Sequence, residues 1–248
     1  MKRRLFLSST IAAALAGCSA VGTKLNDNAR FHSALESAEA LNERVIGARG
    51  MARLYSAGDI SPIDDFPIDS LDTPSDSVYT GLTRNAFRGY TLGVTGSVAR
   101  PQAFTLARLY GMPQQTQITR HDCVEGWSAI VKWSGVRLAD VLAAASPTED
   151  ARYVVFRSFD VDPNGASYYE SLSLPQAMHP QTLLALRQND APIKIERGAP
   201  VRLTIPLQLG YKSAKWIRRI EVVPTLASIE GGKGGYWEDQ GYEWYAGI

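Results

Sequence analysis

Thr119-Arg120-His121-Asp122-Cys123-Val124-Glu125-Gly126-Trp127 is the stretch on which the reading of this chain turns, and Cys123 is its centre. The sequence has two cysteines, and the other, Cys18, sits in an N-terminal segment that reads as an export signal. A processed or lipidated Cys18 is not available to Cys123, so an intrachain disulfide is largely excluded. Ile118 suggests a strand running into a turn, with the thiol at its end. Arg120 and His121 are cationic or ionisable neighbours. Positive neighbours favour thiolate over thiol, and thiolate is the form that attacks electrophiles or binds soft metals. The competing reading is a buried, inert cysteine acting as a small hydrophobe.

The chain has 248 residues, 45% hydrophobic and 21% charged, which suits a globular protein with one sizeable core. Its formal net charge is +1, and removal of residues 1–17, with three basic and no acidic side chains, leaves −2. Nothing in that balance points to nucleic acid. The first residues, MKRRLFLSSTIAAALAGCSA, place basic side chains ahead of an apolar run from Leu5 to Gly17, too short to span a bilayer. Arg3-Arg4-Leu5-Phe6-Leu7 resembles the twin-arginine export motif. Leu15-Ala16-Gly17-Cys18 resembles the bacterial lipoprotein box, in which the cysteine is lipidated and becomes the new N-terminus. An ordinary signal peptide cut a few residues later is the alternative. The expected location is the periplasm, with membrane contact only through a lipid on Cys18. The twin-arginine machinery moves folded proteins, and exported enzymes use it when a cofactor must be inserted first.

From Asn28 to about Tyr55 apolar residues recur at helical spacing, with Gly47 and Gly50 weakening the helix end. Ser61 to Ser77 is rich in Asp, Ser and Pro and reads as an extended connection, without the spacing of an EF-hand loop. Strands are expected over 90–98, 152–156, 168–172, 193–196, 201–205 and 216–223, and helices over 104–110 and 138–145. Residues 175–186 stay open between helix and loop. Gly231 to Gly235 reads as a hinge, since it lacks the Gly-Lys-Ser/Thr ending of a phosphate loop. The tail from Tyr236 to Tyr245 is too aromatic for disorder and is expected to dock on the body. Many short strands with few helices give a mixed, β-rich α+β fold with a single main domain.

His121-Asp122-Cys123-Val124-Glu125-Gly126-Trp127-Ser128, followed by Trp133-x-Gly135-Val136-x-Leu138, resembles the molybdenum-ligand segment of the sulfite-oxidase superfamily. A second block agrees: Gly198-Ala199-Pro200-Val201-Arg202-Leu203, then Pro206, then Gly210-Tyr211-Lys212-Ser213-Ala214-Lys215-Trp216. The form is closest to the bacterial exported branch that includes periplasmic methionine-sulfoxide reductase. The resemblance implies a molybdopterin cofactor of the mononucleotide-free pyranopterin form and two-electron oxygen-atom transfer, as sulfoxide reduction or sulfite-type oxidation. It makes Cys123 the protein's molybdenum ligand, beside two dithiolene sulfurs. It assigns the pterin phosphate to Arg202, Lys212 and the Gly210–Tyr211 backbone, with Lys215 as a further contact. Ser158 stands where the family often has a cofactor-contacting Thr, and Tyr79 where it has a Tyr. Asp76 and Thr80 depart from the usual Asn-x-x-Tyr-Glu around that Tyr, and Arg197 replaces an Asn or His.

The implied layout is an export signal over 1–17, a helix and connection over 18–75, a catalytic domain over 76–226 and an aromatic tail over 227–248. With no Cys-x-x-Cys-His haem motif in the sequence, electrons are expected from a separate membrane b-type or periplasmic c-type cytochrome. The substrate class is a small oxo-donor or oxo-acceptor. His32, His121 and His179 lack metal-ligand spacing and read as structural. Two other readings compete: a cysteine nucleophile with His121 or His179 as base, and a lipid-anchored binding or assembly protein that keeps the fold without redox chemistry.

Overall fold

The computed structural model describes residues 41, 50–62, 67, 73–162 and 164–248. The chain divides into two units, Met1–Val45 and Ile46–Ile248, and both the sheets and the site belong to the second. The export signal, Cys18, His32, most of the expected N-terminal helix and much of the 61–77 connection lie outside the described residues. No helix among the described residues is long and apolar enough to cross a membrane.

The Cys123 stretch is the tip of an antiparallel hairpin. β3 (Gln114–Asp122) pairs with β4 (Ser128–Arg137) in register from Gln114↔Val136 to Asp122↔Ser128. Ala129, Val131 and Trp133 alternate inward along β4, the period-two pattern of a half-buried strand. β7 (Leu183–Gln188) pairs with β4 and carries two short partners, β8 (Ala191–Pro192) and β9 (Arg202–Thr204). The second sheet has the order β2-β1-β10-β5-β6. It is built from β1 (Thr91–Gly96), β2 (Gln102–Thr105), β5 (Tyr153–Val161), β6 (Ser167–Ser173) and β10 (Ile217–Val223). Within it β1 and β10 run parallel, and the other pairs are antiparallel.

The main core lies between these sheets, where Leu92, Val94, Phe104, Phe156 and Ile220 of one meet Val136, Leu184 and Leu203 of the other. The helices close its margins. α1 (Ser77–Arg84) starts at Asp76, whose carboxylate accepts from the Tyr79 N–H at 2.9 Å. α2 (Leu106–Gly111) starts at Thr105, and α3 (Leu138–Ala145) stops where Ser146 turns left-handed at φ 55°. α4 (Leu174–Ala177) opens with a Ser173–Gln176 capping box, and α5 (Tyr236–Asp239) is a single turn in the tail. The result is a β-rich α+β fold with two mostly antiparallel sheets.

Several local expectations are corrected. Residues 51–55 are not helical, because their backbone is used elsewhere. Tyr55 N–H donates to Ile118 O, and Ala52 exchanges hydrogen bonds with the Gln181 amide. Phe104 and Thr105 belong to β2, because Phe104 pairs opposite Leu92 and buries its ring there. The 128–137 strand was not foreseen. The expected strand at 193–196 ends early: Asn189 and Asp190 turn left-handed, β8 stops at Pro192, and Ile195–Arg197 winds as a 3-10 turn. The open segment 175–186 splits between α4 and β7.

Candidate active site

The hairpin tip is a tight turn in which Gly126 N–H donates to Cys123 O at 3.1 Å, with Gly126 at φ 92°. Cys123 N–H donates to Trp127 O at 2.9 Å, and Glu125 N–H approaches Cys123 Sγ at 3.5 Å. The thiol is half-buried on the wall of a cavity of about 310 Å³. The 3-10 turn Gly210–Lys212 also contributes, with Gly210 and Tyr211 facing the cavity. A β-carbon on Gly210 would lie 2.7 Å from His121 Nε2 and 3.3 Å from Asp122 O. Glycine is therefore what lets this turn close on the end of β3, next to the thiol.

Arg202 and Lys215 complete the cationic side of the same cavity. Arg202 is buried, stacks its guanidinium 4.9 Å from the Trp133 ring centre and donates to Arg197 O and Ser213 O. Lys215 Nζ lies 4.4 Å from the Trp216 ring centre. Arg197, the departure from the usual Asn or His, also faces the cavity. Cys123, Arg202, Gly210, Tyr211 and Lys215 are thus brought together from separate parts of the chain.

Three predicted residues are placed elsewhere. Lys212, where the resemblance expects a phosphate contact, is not among the residues lining the cavity: its Nζ is fully buried between Glu170 at 2.6 Å and Glu238 at 2.5 Å. Burial and the neighbouring Glu238 hold the Glu170 carboxyl well above its usual range, outweighing the pull of Lys212. Ser158 lies behind the wall, its hydroxyl donating to Lys215 O at 2.7 Å. Tyr79 sits in the core, its hydroxyl donating to Ala199 O at 2.8 Å and its ring 5.2 Å from Phe159. Both reach the cavity only through the backbone segments they hold.

His121 and Asp160 also belong to the cavity. His121 lines the wall, and burial beside Arg202 and Lys215 lowers its pKa to about 3, so the ring is neutral. Its readable signal was its place two residues before Cys123. His179 behaves as expected for a structural residue, bonded to Gly50 O at 2.8 Å. Asp160 is 4% exposed, has no hydrogen-bond partner at Oδ1 and faces the cavity. Burial raises its pKa to about 7 against the opposing pull of its own backbone N–H, Lys215 and Ser158. No local signal marks it, since Phe156-Arg157-Ser158-Phe159-Asp160-Val161 mixes polar and apolar residues.

The profile of the oxidoreductase molybdopterin binding domain matches residues 80–228. The chain belongs to that family. As a molybdopterin-binding oxidoreductase it also aligns over 99% of its length, at 35% identity, with the "Putative protein-methionine-sulfoxide reductase subunit YedZ1" of Azospira oryzae, covering 87% of that protein. It is 36% identical over 55% of its length to the protein-methionine-sulfoxide reductase catalytic subunit MsrP of Xanthomonas axonopodis, and spans about half of that protein's length (46%). Among solved structures, the sulfane dehydrogenase SoxCD of Paracoccus pantotrophus shares its fold. The TM-score is 0.51 at 23% identity, over 58% of this chain and 40% of that one.

The residues present fit the family's cofactor. A pyranopterin needs cations and backbone N–H groups for its phosphate, and its molybdenum takes soft sulfur. The cavity wall offers Arg202, Lys215, Arg197, the 210–211 backbone and one thiol. Its volume lies within the range of small-ligand pockets.

Proposed function

We propose that this oxidoreductase is an exported sulfoxide reductase whose substrates are methionine sulfoxides, with electrons drawn from a separate b-type or c-type cytochrome. One observation carries the reading: the Cys123 thiol shares a single cavity with Arg202, Lys215 and the Gly210–Tyr211 turn. The names of the relatives from Azospira and Xanthomonas support the substrate class. Arg3-Arg4 supports twin-arginine export, and Cys18 supports a lipid anchor in the periplasm. Cys123 Sγ would be the protein's molybdenum ligand, and Arg202, Lys215 and the 210–211 backbone would hold the pterin phosphate. When bound, the cofactor supplies the two-electron redox change of oxygen-atom transfer.

The remaining work falls to the chain. Reduction of a sulfoxide to a thioether and water consumes two electrons and two protons. Asp160, buried and near half-protonated at neutral pH, is placed to deliver a proton at its unpartnered Oδ1. His121, held neutral, keeps a further positive charge off the cavity wall.

The test is metal analysis and turnover of the purified protein with a reduced dye, on dimethyl sulfoxide, a methionine-sulfoxide peptide and, in the oxidising direction, sulfite. About one molybdenum per chain with sulfoxide reduction is expected. Cys123→Ala should fold, lose molybdenum and lose turnover. Activity surviving that substitution would remove the thiolate-held metal; a metal-free wild type would favour the binding protein.

A further inference from the structure

The family profile stops at residue 228, yet two rings on the cavity wall, Trp237 and Tyr242, come from beyond it. They stack on each other with ring centres 5.3 Å apart and planes 29° apart. Tyr211 meets the Tyr242 ring edge-on at 5.3 Å. Tyr242 is 40% exposed, whereas Asp160 and Arg202, on the same cavity, are 4% exposed. The rings thus form its solvent-facing rim. Val124 of the hairpin turn also lines the cavity and is 45% exposed. The mouth is therefore mainly aromatic and aliphatic, with exposed Glu125 beside Val124, and the interior is charged.

A four-residue helix has no stability of its own, so something must fix the rim. Glu238, the neighbour of Trp237, is held by buried Lys212, which also binds Glu170 of β6. Asp239 accepts from the Tyr169 hydroxyl at 2.5 Å and from the backbone of Gly231 and Lys233. A β-carbon on Gly235 would collide with Glu238 Oε2 and lie 2.7 Å from Glu170 Oε1, so a larger residue here would have to displace the buried carboxyl groups. Beyond the rim, Tyr211 donates to Glu243 O, and Trp244 donates to the Ser171 hydroxyl. The rim is built in advance of binding, which lowers the ordering cost of capture.

We propose that Trp237 and Tyr242 form a recognition rim for the side chain of a methionine sulfoxide within a polypeptide, making the C-terminal segment a specificity element of this enzyme. The proposal rests on the sulfoxide-reductase reading above. Such a side chain has a polar S=O head and a flexible apolar arm. The head suits the charged interior, and the methylenes and methyl suit aromatic faces and edges, on which sulfur and its alkyl neighbours pack favourably. A small sulfoxide such as dimethyl sulfoxide has no arm to lay across the rim.

The test uses the molybdenum-loaded enzyme and the variants Trp237→Ala, Tyr242→Ala and Trp237→Phe. The expected result is a fall of about tenfold in the ratio of kcat/KM for a methionine-sulfoxide peptide over dimethyl sulfoxide in the alanine variants. The change should sit in KM, with molybdenum content unaltered and Trp237→Phe restoring most of the ratio. Calorimetric titration with the corresponding methionine-sulfone peptide reads binding without turnover, and its Kd should rise in parallel. An unchanged ratio and an unchanged Kd would overturn the rim. A wild type that reduces no sulfoxide yet binds the sulfone peptide through Trp237 would sink the reductase reading and keep the rim. A wild type that neither reduces nor binds would sink both.

Discussion

Gly210 stands so close to His121 that a β-carbon on it would lie 2.7 Å from the imidazole Nε2. That approach joins the end of β3 to the 210–212 turn, and both contribute to the cavity that holds Cys123 and Tyr211. Gly210→Ala should lower folding stability by about 1–3 kcal/mol, the usual cost of overpacking, and reduce molybdenum content. The double variant with His121→Ala should recover most of the stability, because the imidazole is then gone from the point of closest approach. Calorimetric melting and metal analysis of the four proteins would check this; additive losses would show that the contact is not the cause.

Asp160 makes the stability of the cofactor-free protein fall as pH rises toward neutrality. Its pKa is about 7 when folded, against an ordinary 3.8, so between these values the folded chain binds more protons than the unfolded one. Stability conferred by the neutral acid is therefore full below about pH 4 and is lost as pH rises toward 7. The contribution of this group across the window is on the order of 4 kcal/mol. Asp160→Asn should remove it. Urea unfolding of both proteins at pH 5 and pH 7.5 reads the difference, and parallel pH profiles would refute the assignment. In the loaded enzyme the same change should flatten the pH dependence of kcat near neutrality.

What the sequence disclosed and what it hid divide along a physical line. The hairpin tip, α3 and β10 were legible because turn residues, helix periodicity and β-branched runs act locally. The end of the expected N-terminal helix was misread at 51–55, because the bonds of Tyr55 to Ile118 and of Ala52 to Gln181 are invisible to periodicity. In the site, the order of motifs marked Cys123, Arg202 and the Gly210–Tyr211 turn. The buried partners of Lys212, Glu170 and Glu238, stayed hidden because they are 42 and 26 residues away in the chain. Asp160 escaped because an acid becomes a proton carrier only through burial, which no local pattern records. The rim of Trp237 and Tyr242 escaped because aromatic content marks packing without saying against what.

Arg202 is expected to act through its fork as well as its charge. Its guanidinium spans Arg197 O at 3.1 Å and Ser213 O at 3.4 Å while lying over Trp133. A lysine ammonium keeps the charge but cannot bridge both carbonyls in one plane. Arg202→Lys should keep the fold and retain part of the molybdenum, whereas Arg202→Met should retain little. Metal content per chain, read beside circular dichroism, separates the two; equal full loading of both variants would take the phosphate role away from Arg202.

Lys212 offers the sharpest separation between a cofactor contact and a structural lock. Its ammonium is the cation against which the Glu238 carboxylate is buried, so Lys212→Met should strand that charge and cost about 3–5 kcal/mol. Adding Glu238→Gln to Lys212→Met removes the stranded charge, and stability should return by about 1–3 kcal/mol. A phosphate ligand would behave otherwise, since no change at Glu238 could compensate for its loss. Urea titration gives the energies, and limited proteolysis between Leu226 and Gly235 reports whether the tail has come loose, as it should in Lys212→Met and much less in the double variant. If Lys212→Met instead melts like the wild type and only molybdenum is lost, the lysine grips the cofactor and the buried lock is not what holds the tail.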